Sequence, residues 1–200
     1  MPELPEVEAL ARFLDDRATG RTVVAADVAQ IAALKTFDPP VSALVGRVVT
    51  GARRHGKWLD LVLAETGVGT GVPGPDAEVH LVFHLARGGW LRWSEKAPTT
   101  PVRPRGGGAG GGKAAALALR VRFDDGSGFD LTEAGTRKRL AVHVVRHPEE
   151  VRAIETLGVE PLDPAFTPEA LGALMAARNQ QGKGRLRAPS SLAGRGNGDS

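Results

Sequence analysis

Val7, Leu10, Phe13 and Leu14 recur at helical spacing close to the start of the chain, forming the apolar stripe that an amphipathic helix buries. Pro5 suits a first helical turn, where its missing N–H leaves no bond unmade. Glu3, Glu6 and Glu8 fall at the positive end of the helix dipole, and the pattern predicts a helix over residues 3–17. Beyond it the apolar period shortens. Thr22–Val28, Val48–Ala52, Trp58–Leu63, Val79–Leu85, Leu117–Phe123 and Arg139–Val145 are short, β-branched or alternating, and separated by turn signals, so they read as strands. With few helical patterns between them, antiparallel pairing is expected. Gly67–Gly74 and the glycine-rich Pro98–Gly112 read as loop insertions, which cost little because loop entropy grows slowly with length.

Helical character returns near residue 148. His147-Pro148-Glu149-Glu150 opens one short helix, and Thr167-Pro168-Glu169 supplies a cap and an N1 proline leading into Ala170–Arg178. The expected class is α+β: an N-terminal helix plus an antiparallel β-sandwich over residues 1–147, then an incomplete helical segment over residues 148–200.

Composition narrows the function. The chain has 200 residues, 42% of them hydrophobic, and a formal charge of +3. This balance permits a nucleic-acid partner without demanding one. Cysteine is absent, which excludes disulfides and thiolate metal sites. The acidic, proline-containing N-terminus lacks the basic and apolar regions of a signal peptide, and no run of apolar residues is long enough for a membrane helix. The expected location is the cytoplasm.

The candidate chemistry begins at Met1-Pro2-Glu3-Leu4-Pro5-Glu6-Val7-Glu8. Removal of Met1 would leave Pro2 with a free secondary amine, which can form an iminium at an electrophilic carbon without losing a further proton. A terminal amine titrates at about 8, whereas a lysine at about 10.4 needs a large shift to serve as well. Glu3 lies beside that nitrogen and can relay protons, and Glu6 is one helical turn away on the same side.

This order of residues resembles the N-terminal signature of the formamidopyrimidine-DNA glycosylase and endonuclease VIII family of bacteria. Three further stretches carry the resemblance. Arg53-Arg54-His55-Gly56-Lys57-Trp58-Leu59 is similar to the family's Arg-Arg-x-Gly-Lys-Tyr-Leu; the resemblance implies that Lys57 is a catalytic cation near the damaged nucleotide, stabilising charge during elimination. Phe83-His84-Leu85-Ala86-Arg87-Gly88-Gly89-Trp90-Leu91 is similar to the family's His-Leu-Gly-Met-Ser-Gly strand and turn. There Arg87 replaces the methionine that fills the gap left by an extruded base, and His84 reads as a core or supporting histidine. Thr132-Glu133-Ala134-Gly135-Thr136-Arg137-Lys138-Arg139-Leu140 stands where relatives carry Asp-Pro-Arg-Arg-Phe-Gly. Lys138 and Arg139 are then the implied phosphate-binding pair, and Leu140 replaces an aromatic wedge. The family's DNA-contacting histidine has no counterpart at Lys113-Ala114-Ala115-Ala116.

Leu157-Gly158-Val159-Glu160-Pro161-Leu162 matches the family's linker into a helix–two-turns–helix domain. Lys183 aligns with a helical lysine and Asn197 with the Gly-Asn that holds a DNA phosphate. The family continues beyond that point into a C-terminal hairpin, usually a four-cysteine zinc finger, so the chain reads as C-terminally truncated and no cofactor is expected in it. The resemblance implies a base-excision-repair glycosylase with AP lyase activity: a monomer that acts through Pro2 on double-stranded DNA with oxidised bases or abasic sites, near the nucleoid. The alternative is a truncated remnant with little glycosylase activity that binds DNA or abasic sites weakly. A β-sandwich interaction module without a DNA role leaves the coincidence of Pro2, Glu3, Lys57 and Asn197 unexplained.

Overall fold

The computed structural model describes residues 2–66, 77–104 and 115–158. Helix α1 spans Leu4–Ala18, one residue offset from the sequence expectation, with Pro5 in its first turn. It is followed by eight strands: β1 (Val23–Val28), β2 (Arg47–His55), β3 (Trp58–Glu65), β4 (Glu78–His84), β5 (Gly89–Ser94), β6 (Ala116–Phe123), β7 (Gly128–Glu133) and β8 (Ala141–Val145). Single turns of 3-10 helix lie at Ile31–Ala33, Val41–Leu44 and Pro148–Glu150, and a short helix α2 covers Arg152–Glu155.

The strands form two four-stranded antiparallel sheets, ordered β1-β6-β7-β5 and β2-β3-β4-β8. Their inner faces supply a single large core. Leu59, Leu61 and Leu63 of β3 alternate into it with Val79, Leu81 and Phe83 of β4. Leu119, Val121 and Phe123 of β6 face them together with Phe129 and Leu131 of β7. This is the period-two pattern of a sheet with one buried face. Phe129 sits at the centre, with ring centroids 6.2 Å from both Phe83 and Phe123.

Helix α1 closes one side of the sandwich. Val7, Ala11, Leu14 and Ala18 join the core, and the helix lies on β2 and β3. Asp15 fixes its position by accepting the Ala52 N–H at 2.8 Å. The beginnings of β1 and β2 are also laced together, through Gly46 N–H to Val23 O and Gly20 N–H to Val49 O, both 2.8 Å. The start of α1, the β2–β3 turn and the β4–β5 turn are thereby held on one framework.

The outer face of the β3–β4–β8 region carries a second cluster, in which Val82 and Val145 meet Val151 and Ile154, with Trp58 and Leu157 against them. The helix expected at 147–150 is a 3-10 turn followed by α2. The helix expected at 170–178, and the Gly67–Gly74 loop, lie outside the described residues.

Candidate active site

Pro2 stands immediately before α1 and is buried. The Glu3 N–H donates to Glu6 Oε2 at 2.8 Å, which satisfies one of the donors a helix start leaves open. The Glu3 carboxylate is ion-paired with the Lys57 ammonium, whose side chain is only 9% exposed.

A two-residue turn brings Lys57 there. His55 pairs with Trp58 across the β2–β3 hairpin, and Gly56 adopts φ 56°, the positive angle that the first residue of a type II′ turn requires. Arg54 anchors the same corner. Its Nε donates to Glu8 Oε2 at 2.7 Å and its Nη1 to Gly56 O at 3.1 Å. The Arg54 hydrogen bond holds the Glu8 carboxyl below the usual range against the opposing effect of burial, and Arg12 assists.

The β4–β5 turn forms the opposite wall. Ala86 takes a left-handed φ of 52°, and Gly89 N–H closes the turn on Leu85 O at 2.8 Å. A Cβ on Gly89 would lie 2.1 Å from that same oxygen, and one on Gly88 would lie 2.5 Å from Ala134 O. The turn therefore needs both glycines. Pro2, Glu6, Arg87, Gly88, Gly89 and Trp90 together line an open pocket of about 300 Å³. Arg87 is exposed.

The segment after β7 is joined to this turn. Ala134 N–H donates to Gly88 O at 2.8 Å. Glu133, 1% exposed, accepts the backbone N–H groups of Arg139 at 2.6 Å and Leu140 at 3.0 Å through Oε1. Its Oε2 has no partner among the described residues. The Lys138 ammonium donates to the Glu133 backbone carbonyl, so its charge is tied back to the loop, while Arg137 and Arg139 remain exposed.

His84 lies behind Lys57. Its ring centroid is 5.0 Å from that of Trp58, and its Nδ1 accepts the Ala86 N–H at 3.1 Å, which leaves the proton of the neutral ring on Nε2. Burial, with the Lys57 charge adding to it, pushes its pKa below the ordinary histidine value. This geometry suits the supporting role expected of it.

The structure thus brings Pro2, Glu3, Glu6, Lys57 and Arg87 to one corner, and links Lys138 and Arg139 to that corner through Glu133 and Ala134. Lys183 and Asn197 lie outside the described residues. Two further participants are not singled out by the sequence. Trp90 lines the pocket, and its signal is a large aromatic directly after two glycines. Glu133 secures the cationic loop; a lone acid close to Arg137, Lys138 and Arg139 is the available clue. The buried Asp60 is a third residue that no sequence pattern marks. It accepts from Arg53 Nε and His55 Nε2 at 3.0 Å, and from His80 Nδ1 at 2.9 Å. Burial alone would raise its carboxyl, but hydrogen bonds from His55 and His80, with Arg53, outweigh it and hold the group well below the carboxylate range.

Among known proteins, the family model for the formamidopyrimidine-DNA glycosylase N-terminal domain matches residues 1–142. A formamidopyrimidine-DNA glycosylase of Moorella thermoacetica is 31% identical over 201 residues, covering 98% of this chain and 64% of the relative. One from Parafrankia sp. is 32% identical over 204 residues, covering 98% and 63%. The chain therefore spans somewhat under two thirds of the length of these relatives. Among solved structures, the Lactococcus lactis enzyme bound to DNA containing N7-benzyl-Fapy-dG superposes with a TM-score of 0.70 at 21% identity, over 98% of this chain and 64% of that one. The same enzyme non-covalently bound to DNA with an AP site gives 0.69 at 23% identity, over 98% and 66%. At such identities the superposition speaks for the fold.

Proposed function

The chain belongs to the formamidopyrimidine-DNA glycosylase family, and on that premise we propose that it is a base-excision-repair glycosylase with AP lyase activity. The observation that carries this reading is the corner where Pro2 lines a pocket beside Glu6 and Arg87 while Glu3 holds Lys57. The proposed substrate is double-stranded DNA bearing an oxidised base or an abasic site. The protein is proposed to act as a monomer, in the cytoplasm at the nucleoid.

With Met1 removed, the Pro2 nitrogen attacks C1′, the glycosidic bond breaks, and the departing base takes up a proton. Opening of the sugar ring at O4′ leaves an iminium between Pro2 and C1′. Loss of a C2′ proton then expels the 3′ phosphate by β-elimination, and water releases the enzyme by hydrolysing the iminium. Glu3 and Glu6 are placed to move protons at the Pro2 nitrogen and at O4′. Lys57 stabilises the negative charge that develops on the sugar and phosphate oxygens. Arg87 enters the space the base vacates, and the loop of Arg137, Lys138 and Arg139 positions the phosphate backbone. Lys183 and Asn197 are assigned to DNA contacts on the strength of their alignment.

Borohydride trapping on abasic-site DNA tests the reading. The wild type is expected to form a covalent adduct that is lost when an uncleaved N-terminal extension holds the Pro2 nitrogen in a peptide bond, with mass spectrometry confirming loss of Met1 in the wild type and the intact extension in the variant. An undiminished adduct in the extended chain puts the nucleophile elsewhere. Turnover of an oxidised-base duplex then separates a full glycosylase from a weak abasic-site binder.

A further inference from the structure

We propose that Trp90 is the platform on which a nucleobase displaced from the DNA stack is held beside Pro2. The inference rests on the reading of the Pro2 corner as a DNA-reactive site, and adds to it a ligand-binding surface. Three observations carry it.

The first is exposure without a ring partner among the described residues. The other two tryptophans are committed to the fold: Trp58 lies 5.0 Å from the His84 ring and 5.5 Å from His143, and Trp93 stacks on Phe123 at 5.7 Å and meets Phe13 edge-on at 5.9 Å. Trp90 is 50% exposed and makes no ring contact among the described residues. A half-exposed indole leaves a large apolar face in water, which is the surface a ligand covers with most gain.

The second is where that face lies. Trp90 shares its pocket with Pro2, Glu6 and Arg87. At about 300 Å³ the space is at the small end of ligand sites, suited to one ring system and too small for a length of folded chain. Arg87 is exposed in the same pocket and forms no ion pair among the described residues. A flat apolar face beside an acceptor carboxylate on Glu6 matches the ring and the N–H donors of a base better than an apolar peptide.

The third is rigidity. β5 alternates Gly89 and Leu91 inward with Trp90 and Arg92 outward, and its register places Trp90 opposite Thr132 on β7. Gly88 and Gly89 are fixed by contacts with Ala134 and Leu85 that admit no side chain. The indole therefore rises from closely packed backbone, so little conformational freedom is lost when a base stacks on it.

The test uses the full chain and a short single-stranded oligodeoxynucleotide, which offers unpaired bases, with tryptophan fluorescence as the readout. DNA is expected to quench the emission in wild type, Trp58→Phe and Trp93→Phe. The quench should vanish in Trp90→Phe. Trp90→Ala is expected to weaken binding by roughly tenfold, the scale of one base–aromatic stack, while Trp90→Phe retains near-wild-type affinity because phenyl also stacks. Unchanged affinity in Trp90→Ala, or quenching that survives in Trp90→Phe, overturns the proposal, as does a Trp90 emission already shielded before DNA is added. The Pro2 reading fails separately. If the chain with an uncleaved N-terminal extension still traps while the Trp90 results hold, the platform stands and the nucleophile assignment falls.

Discussion

Lys57 reaches Glu3 because a two-residue hairpin turn delivers its ammonium to the start of α1, and the pair is asymmetric. Lys57 has a side chain 9% exposed and Glu3 one 35% exposed, so desolvation falls mainly on the cation. Removing the acid leaves a nearly buried charge without its partner, whereas replacing the lysine by an isosteric apolar residue removes the charge itself. Glu3→Gln is therefore expected to lower stability by about 1–3 kcal/mol, and Lys57→Met by less, both measured by urea unfolding. Equal losses would show that burial of the ammonium does not govern the pair. Gly89 makes a sharper case. Its missing side chain would occupy space 2.1 Å from Leu85 O, an atom of the turn itself that cannot move away. Gly89→Ala is expected to cost about 2–4 kcal/mol and to displace both Arg87 and Trp90, so DNA affinity should fall together with the unfolding midpoint.

At the scale of elements, the outer face of β3, β4 and β8 gathers Trp58, His84 and His143. Burial, aided by Lys57, lowers the pKa of His84; burial, aided by Lys35, lowers that of His143. The unfolded chain, titrating at about 6.5, therefore takes up these protons before the folded one. The stabilisation is complete above that pH and is lost as pH falls through the folded values, with a slope of at most about 1.4 kcal/mol per pH unit for each histidine. Denaturant unfolding across the histidine titration range, from roughly pH 7.5 down to roughly pH 5, should show stability falling on acidification, and His143→Gln should flatten that fall. A profile insensitive to the substitution would exclude His143 as a contributor. The same elements show what a sequence discloses. α1 and the strands with continuous apolar faces were legible, because Leu14 or Leu61 announces its period unaided. β5 and β7 were not. Gly89-Trp90-Leu91-Arg92 looks like a turn until β7 pairs with it, and in β7 the Asp130 carboxylate accepts two Arg120 hydrogen bonds, both 2.7 Å, from the neighbouring strand. Pro2, Glu3, Glu6 and Lys57 were legible through their order in the chain. Trp90 and Glu133 acquire a role only when two distant turns meet, which no local pattern encodes.

At the scale of the whole molecule, a modest charge of +3 makes the DNA affinity of the proposed function depend on where the cations are held more than on their number. Glu133 places them. Its carboxylate grips the backbone of Arg139 and Leu140, and Ala134 beside it binds Gly88, so the Arg137–Arg139 loop and the Arg87 turn form one unit. Within that unit Lys138 donates its ammonium to the Glu133 carbonyl, while Arg137 and Arg139 stay exposed as the phosphate contacts of the proposed function. Each phosphate contact lowers the slope of log K against log salt by about 0.9 for duplex DNA. Replacing Arg137 and Arg139 together by alanine is expected to make the slope shallower by about 2, weakening binding alike on intact, oxidised and abasic duplexes. Arg87→Ala should instead reduce preference for the abasic duplex while changing the slope by less than about 1, since a side chain that fills a gap in the stack releases few counterions. Fluorescence anisotropy across a salt series on the three duplexes distinguishes these effects. If the double substitution leaves the slope unaltered, the loop held by Glu133 does not lie along the phosphate backbone. If Arg87→Ala reproduces the double variant, its guanidinium contacts phosphate and the space left by the base is filled by another group.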